Sequence, residues 1–374
     1  FMPLCPQLAQ AYQQLAVLQT ELDLAYQKAI KTKDLSKAKE LKAGLKQKLR
    51  ELQTELWPFE KAGLSLKEIR RQYTIQTEAL NEVNHALKSA GKEPLFNTAP
   101  DGKFVILGID KKEYSMPTLH QIMRELIQNR ETLETKVKQG FTRINMVPIA
   151  LPISKLFEAY KQQLLKHFKE GKLFYPPKEG EQPLPIPQEQ FNEEDLFHDW
   201  GSWAGTDISG KLKYYPKKFD KENHDGVTKA DLLKQLSISG WKIQLIEKNQ
   251  NIPRQGQGKT IGGRKQIEAM QSPDGYIQLF NSNPTYAHEE GQTIEDAITQ
   301  AIVNLHEKNQ VTDDFLGNGS INYLAGNYHH SSGDLPGFCW NRGSRQAGLG
   351  GYGPRDPSGN FGLRPAVGVG NITL

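Results

Sequence analysis

From Ser320 to Leu374 glycine and aromatic residues dominate and helix formers almost vanish, so only irregular loops and short strands can be built there. Within it, Ser331–Val369 reads SSGDLPGFCWNRGSRQAGLGGYGPRDPSGNFGLRPAVGV. A few large or charged residues recur at intervals: Trp340, Asn341, Arg342, Arg345, Gln346, Tyr352, Asp356 and Arg364. Small, loop-permissive residues fill the gaps, and no core can be assembled from such spacers. The expectation is a frame pinned by Trp340 packing inward, with Arg345 and Arg364 pairing carboxylates such as Asp356. The spacers would then lie on solvent-facing loops, a design suited to a binding surface.

The rest of the chain has a different character. Leu8, Leu15, Leu18, Leu22 and Ala29, then Ala38, Leu41, Leu45, Leu49, Leu52 and Leu56, recur at heptad-like spacing. This predicts two packed helices with a turn at Lys33-Asp34-Leu35-Ser36, closed by Trp57-Pro58. A third helix is expected over Ser65–Ala90, stopping at Gly91. Such an arm suggests self-association into a homo-oligomer rather than chemistry. Phe104-Val-Ile-Leu-Gly-Ile and Phe141–Pro148 read as strands, and the helices expected from Thr118 to Lys138 and over Lys155–Glu170 complete a small α+β module. Tyr175–Pro187, YPPKEGEQPLPIP, reads as a linker. Beyond it a strand is expected at Trp241–Ile246, and helices at Gly263–Met270 and Thr293–Asn309. The divisions are therefore 1–94, helical arm; 95–174, α+β module; 175–190, linker; and 191–374, a glycine- and aromatic-rich domain. The fold class is α+β.

Composition narrows the function classes. With 374 residues, two or three domains are the natural expectation. No apolar run approaches the ~20 residues needed to cross a bilayer. The formal charge is +4, with Lys and Arg spread over helical faces, which gives no basic stripe for nucleic acid. Two cysteines, Cys5 and Cys339, exclude a disulfide framework; one bridge between them stays open, and two free thiols in a reducing compartment is the simpler reading. The first residues carry no signal-peptide pattern, so a cytoplasmic location is the simplest reading, although an upstream segment could have been lost.

Three motifs resemble known sites without matching them. Gly256-Gln257-Gly258-Lys259-Thr260 ends like a phosphate-binding loop, but Pro253 stands where the first glycine is required. Asp220–Gly226 resembles a calcium loop in the wrong register, with His224 at position five. His329-His330 are neighbours that a strand points apart. No metal, cofactor or catalytic group is therefore assigned.

The pattern Trp340-Asn341-Arg342-Gly343, Arg345-Gln346-Ala347, Leu349, Tyr352, Pro354, Asp356 and Gly362-Leu363-Arg364-Pro365-Ala366-Val367 resembles the variable proteins of diversity-generating retroelements, in particular those of candidate-phylum bacteria. Ile252-Pro253-Arg254, Gly258-Lys259-Thr260, Gly262-Gly263-Arg264-Lys265-Gln266 and Asn318-Gly319-Ser320-Ile321 extend the resemblance upstream. It implies a C-type-lectin fold of the formylglycine-generating-enzyme group over about 191–374. It also implies a non-enzymatic, hypervariable ligand-binding protein, whose partner is an unknown protein or surface ligand. Random replacement of template adenines, mostly in AAY codons, cannot yield Trp, Gln, Lys, Glu or Met. The implied ligand-binding positions are Gly337, Phe338, Cys339, Ser344, Gly348, Gly350, Gly351, Gly353, Arg355, Ser358, Gly359, Asn360 and Phe361, and all obey that rule. Trp340, Asn341, Arg342, Arg345 and Arg364 are the implied scaffold. The rival readings are a formylglycine-generating-like oxidase, for which Cys339 has no cysteine nearby, and a structural coiled-coil protein bearing a fixed-ligand lectin-like domain.

Overall fold

A computed structural model describes residues 57–99, 104–178, 180–188, 193–249, 251–355 and 357–370, with scattered positions between 24 and 47. The heptad helices expected between Leu8 and Leu56 lie outside those residues, apart from helical backbone at Leu24–Ala29 and a few single positions. The chain divides into two compact units, 1–67 and 68–374. In the first, Trp57 and Phe59 are buried edge to face at 5.0 Å, and the Trp57 indole donates to the Leu64 carbonyl at 2.6 Å.

The second unit mixes helices and small sheets, as expected of an α+β chain. Its main elements are α1 (Leu66–Ser89), α2 (Leu119–Gln128), α3 (Arg130–Lys138), β1 (Phe141–Val147), α4 (Ile153–Lys169), β2 (Phe197–His198), β3 (Lys242–Glu247), β4 (Glu290–Gly291), α5 (Ile294–Lys308), β5 (Ile321–Tyr323), β6 (Leu335–Asn341), β7 (Gln346–Tyr352), β8 (Phe361–Gly362) and β9 (Pro365–Val369). Helix ends follow from local chemistry. Thr118 and Thr293 each form a capping box, at α2 with Gln121 and at α5 with Asp296. Gly91 follows α1 in the left-handed conformation that glycine adopts without strain.

One sheet is antiparallel in the order β4-β9-β3-β1. Its free edge, β1, is covered by two glutamines one turn apart on α1. Gln72 donates to the Thr142 carbonyl at 2.9 Å and accepts from the Ile144 amide at 2.7 Å. Gln76 repeats this with the Ile144 carbonyl, 2.8 Å, and the Met146 amide, 2.7 Å. The side chains stand in for a neighbouring strand, satisfying an edge that would otherwise invite pairing.

The segment 95–174 is not a separate body. Its strand β1 pairs with β3, so one sheet spans both sides of the Pro-rich stretch. Arg264 reinforces the junction. It lies fully buried, pairs Glu247 at 2.7 Å and grips Glu289 with a fork at 2.7 and 2.6 Å. Its guanidinium also sits 4.7 Å over the Phe141 ring, and Lys136 of α3 adds an ion pair to Glu289 at 2.8 Å. The Pro-rich stretch itself folds back: Tyr175 pairs with Leu184, the Ile186 amide donates to the Leu173 carbonyl at 2.8 Å, and Ile186 is buried. It is a strap on one compact unit rather than a linker. The expected helix at Gly263–Met270 is absent: Arg264–Lys265 is a short strand paired with Thr260–Ile261.

The second sheet runs β8-β5-β6-β7-β2, with Asp314–Phe315 also pairing β6. Among the described residues, no helix is long and apolar enough to cross a membrane.

Candidate ligand-binding face

The expected binding residues fall on the β6–β7 hairpin and the loop that follows it. The strands are in antiparallel register, pairing Leu335 with Tyr352, Gly337 with Gly350, Cys339 with Gly348 and Asn341 with Gln346. Because strand side chains alternate, the hairpin divides its residues between two faces. Phe338, Trp340, Ala347 and Leu349 share the inner face and are buried. Phe338 meets Tyr160 of α4 and Trp200, both at 6.1 Å between ring centroids. Two tryptophans secure β7: the Trp200 indole donates to the Ala347 carbonyl at 2.7 Å and the Trp203 indole to that of Leu349 at 3.0 Å.

The opposite face carries Gly337, Cys339, Gly348, Gly350 and Tyr352, beside Tyr323 on β5. Tyr323 and Phe361 stack at 4.9 Å, and Tyr352 meets Phe361 edge-on at 4.7 Å. Tyr352 lies over the glycines, so a Cβ on Gly337 would come within 2.5 Å of its ring. Burial pushes the Tyr352 hydroxyl up to about 12.

Three of the expected surface positions are not on the surface. Gly337, Phe338 and Cys339 are buried, because β6 is an interior strand flanked by β5 and β7 and covered on both faces. Ser344, Gly351, Arg355, Gly359 and Asn360 are exposed, and Gly348, Gly350, Gly353, Ser358 and Phe361 are half-buried.

The frame is held by ion pairs. Arg342 grips Asp314 through Nε, at 3.1 and 3.2 Å, and through Nη2, and stacks 4.1 Å over Tyr175. Arg364 pairs with the buried Asp313 at 2.7 Å. Burial raises both aspartates, and the two arginines draw them back. Asn341 accepts from the amides of Gly343 at 3.0 Å and Ser344 at 3.2 Å, which fixes the hairpin turn. Arg345 reaches the Pro187 carbonyl at 3.3 Å. Asp356, its expected partner, lies outside the described residues. Sequence reasoning missed the Asp313-Asp314 doublet as the frame's carboxylates and Tyr323 as the third aromatic. Their one advance signal was two adjacent acids in a stretch otherwise poor in charge.

No family model, curated protein or solved structure matches this chain.

The declined motifs have structural explanations. In Gly256–Thr260 the amide a phosphate would need is taken, since Gly258 donates to the Glu268 carboxylate at 2.6 Å. In Asp220–Gly226, Asp220 accepts from the amides of Glu222 at 3.0 Å and Asn223 at 2.7 Å, the geometry of a turn. His329 pairs through its backbone with Asp334. Among the described residues no group of three or more His, Cys, Asp or Glu is placed to hold a metal. Cys339 is a poor nucleophile: burial, with Asp313 and Asp314 nearby, pushes its thiol up to about 12.

Proposed function

We propose that this chain is a non-enzymatic binding protein of the retroelement-diversified kind, displaying variable residues on a rigid C-type-lectin-like scaffold. The observation that carries the reading is the division of the C-terminal stretch. Ten of the thirteen positions implied to vary are exposed or half-buried: nine lie on the Gly348–Gly350 face of the hairpin, at the hairpin turn and in the loop 353–361, and Gly351 lies at the exposed end of the other face. The residues implied to be constant are the ones tied down: Trp340 is buried, and Arg342 and Arg364 are spent on aspartates. Variation at the first set would leave the second untouched, which is the requirement for a surface that changes while its scaffold folds.

The face has few anchors. Interfaces draw most of their energy from a handful of aromatic and Arg side chains. Here Phe361, Tyr352 and the exposed Arg355 fill that role, amid glycines. This copy therefore suits a shallow, weakly bound protein or surface ligand.

Sequencing the gene's locus tests the reading. The expected result is a near-copy of the Ser331–Val369 coding stretch, differing only at adenines and lying beside a reverse-transcriptase gene. With neither present, a fixed-ligand lectin-like protein replaces it. The differences should also spare codons 337–339, because the positions they encode are buried.

A further inference from the structure

A small cleft opens where the first half of α1, the start of β1 and the last turn of α5 meet, with Lys248, just after β3, also lining it. Its volume is about 130 Å³. A space of that size takes a few waters or one small oxyanion rather than a larger organic ligand. Its described lining carries four cations, Arg71, Arg143, Lys248 and Lys308, against two carboxylates, Glu68 and Glu307, which leaves a surplus of two positive charges.

The carboxylates are spent mainly on Arg71. Glu68 holds it in a fork, both contacts at 2.9 Å, and Glu307 takes its remaining arm at 2.8 Å. Gln72 and Gln76 are committed to the β1 edge. Lys248 lies 3.7 Å from Glu68, at the far limit of an ion pair. Lys308 pairs with no described carboxylate, Glu307 acting on it only at longer range. The residues on either side of each cation are described, and the acids among them, Glu247 and Glu307, are spent on Arg264 and on the two arginines. The C-terminal end of α5 adds about half a negative charge, too little to cancel two lysines.

Arg143 is what makes the cleft a built site. Its side chain is nine-tenths buried. Glu307 lies 3.1 Å from its Nη2 but off the N–H direction, and that nitrogen finds no hydrogen-bond acceptor among the described residues. An interior guanidinium with an unused donor is costly, and such groups are normally met by an acceptor. The Lys308 ammonium is held below its ordinary range by the protein around it and then by Arg143. A negative charge in the cleft would satisfy the one and relieve the other.

We infer that this cleft binds a small tetrahedral oxyanion, inorganic phosphate or sulfate, with Arg143 donating to its oxygens and Lys248 and Lys308 balancing its charge. The site uses none of the positions implied to vary, so every variant of the face would keep it. It stands whether or not the retroelement reading does.

Isothermal titration calorimetry on the full chain tests the inference, with sodium phosphate and sodium sulfate as probes at a constant ionic strength set by sodium chloride. Binding of either anion over the chloride background is the expected result, and the preference between them shows which of the two the cleft holds. Lys248→Gln with Lys308→Gln, both at exposed positions, should weaken binding roughly tenfold. Arg143→Lys, which keeps the charge and loses the fork, should act in the same direction; the lysine pair keeps the test decisive if that variant does not fold. Lys138→Gln with Lys234→Gln removes the same charge from exposed positions outside the cleft and should leave binding unchanged. No binding of either anion at millimolar concentration overturns the inference, as does binding that the Lys248 and Lys308 double variant leaves intact or that the control pair weakens equally.

Discussion

Glu268 presents its carboxylate to the backbone amide of Gly258 at 2.6 Å, at the centre of a loop whose sequence resembles a phosphate cradle. Burial alone would raise that carboxyl. The amides of Gly256 and Gly258, and then Lys265, outweigh it and hold the group below the usual carboxylate range. The loop is thus organised around an anion supplied by its own chain. Glu268→Gln, which keeps an acceptor but loses the charge, should cost about 1–2 kcal/mol at neutral pH, the lower part of the range for a hydrogen bond to a charged group. A depressed carboxyl stabilises the fold above its unfolded value and loses that contribution as pH falls through the folded one. The gap between wild type and variant, read by urea unfolding, should therefore close in acid. A gap independent of pH would mean that Glu268 acts through packing.

Gly337 and Gly359 make opposite predictions, although both were expected on the variable surface. A Cβ on Gly337 would meet the Tyr352 ring at 2.5 Å and Ile321 at 3.3 Å. On Gly359 it would meet only the Met270 sulfur, at an ordinary 3.5 Å. Gly337→Ala should destabilise by about 1–3 kcal/mol, as overpacking does, while Gly359→Asn and Ser344→Tyr should stay within about 0.5 kcal/mol. Chemical denaturation measures all three. Combining Gly337→Ala with Tyr352→Ala should cost less than the sum of the singles, because the clash is removed with the ring.

Legibility in the sequence followed the range of the interactions. The helix read at 65–90 forms at Leu66–Ser89, and the strands at 141–148 and 241–246 form at Phe141–Val147 and Lys242–Glu247, because period and capping are local. Trp340 packing inward and Arg364 pairing a carboxylate were legible as anchors among small spacers. What was not legible is pairing across sequence. The union of Phe141–Val147 with Lys242–Glu247 joins segments about a hundred residues apart, and no composition marks it. Proline density at 175–187 suggested a linker because prolines cannot fill a sheet interior, yet they line a strap well. Phe338 and Cys339 were misplaced for a related reason: a glycine-rich strand looks exposed until its neighbours, Tyr160 and Trp200, arrive from elsewhere in the chain.

His306 and Glu82 give a pH signature. They lie 2.7 Å apart between α5 and α1, with Glu78 at 3.6 Å, and His167 and Lys166 of α4 also face Glu82. Glu82 raises the His306 pKa, and a group so raised stabilises fully below its unfolded value and less as pH climbs through its folded one. Glu82→Gln should therefore cost more at pH about 6 than at pH about 9, well above the ordinary imidazole range. The difference should be no more than about 1 kcal/mol for groups this accessible. Urea titrations at the two values check it, and a His306→Gln background should flatten the dependence.

Cys339 separates the binding reading from an oxidase reading and tests the corrected surface at once. Its thiol is buried and pushed up to about 12, so near neutral pH it is almost wholly protonated. Alkylation needs the thiolate, and each unit of pKa removes about tenfold of it. Native Cys339 should therefore react with iodoacetamide at least roughly a thousandfold more slowly than the same residue in urea, where its pKa returns to about 8.5. Peptide mass spectrometry assigns the label to Cys339 independently of Cys5. Fast labelling in the native state would return Cys339 to the exposed face and to the list of residues able to do chemistry. Slow labelling leaves Cys339 buried in β6, where a hypervariable site has no use for it.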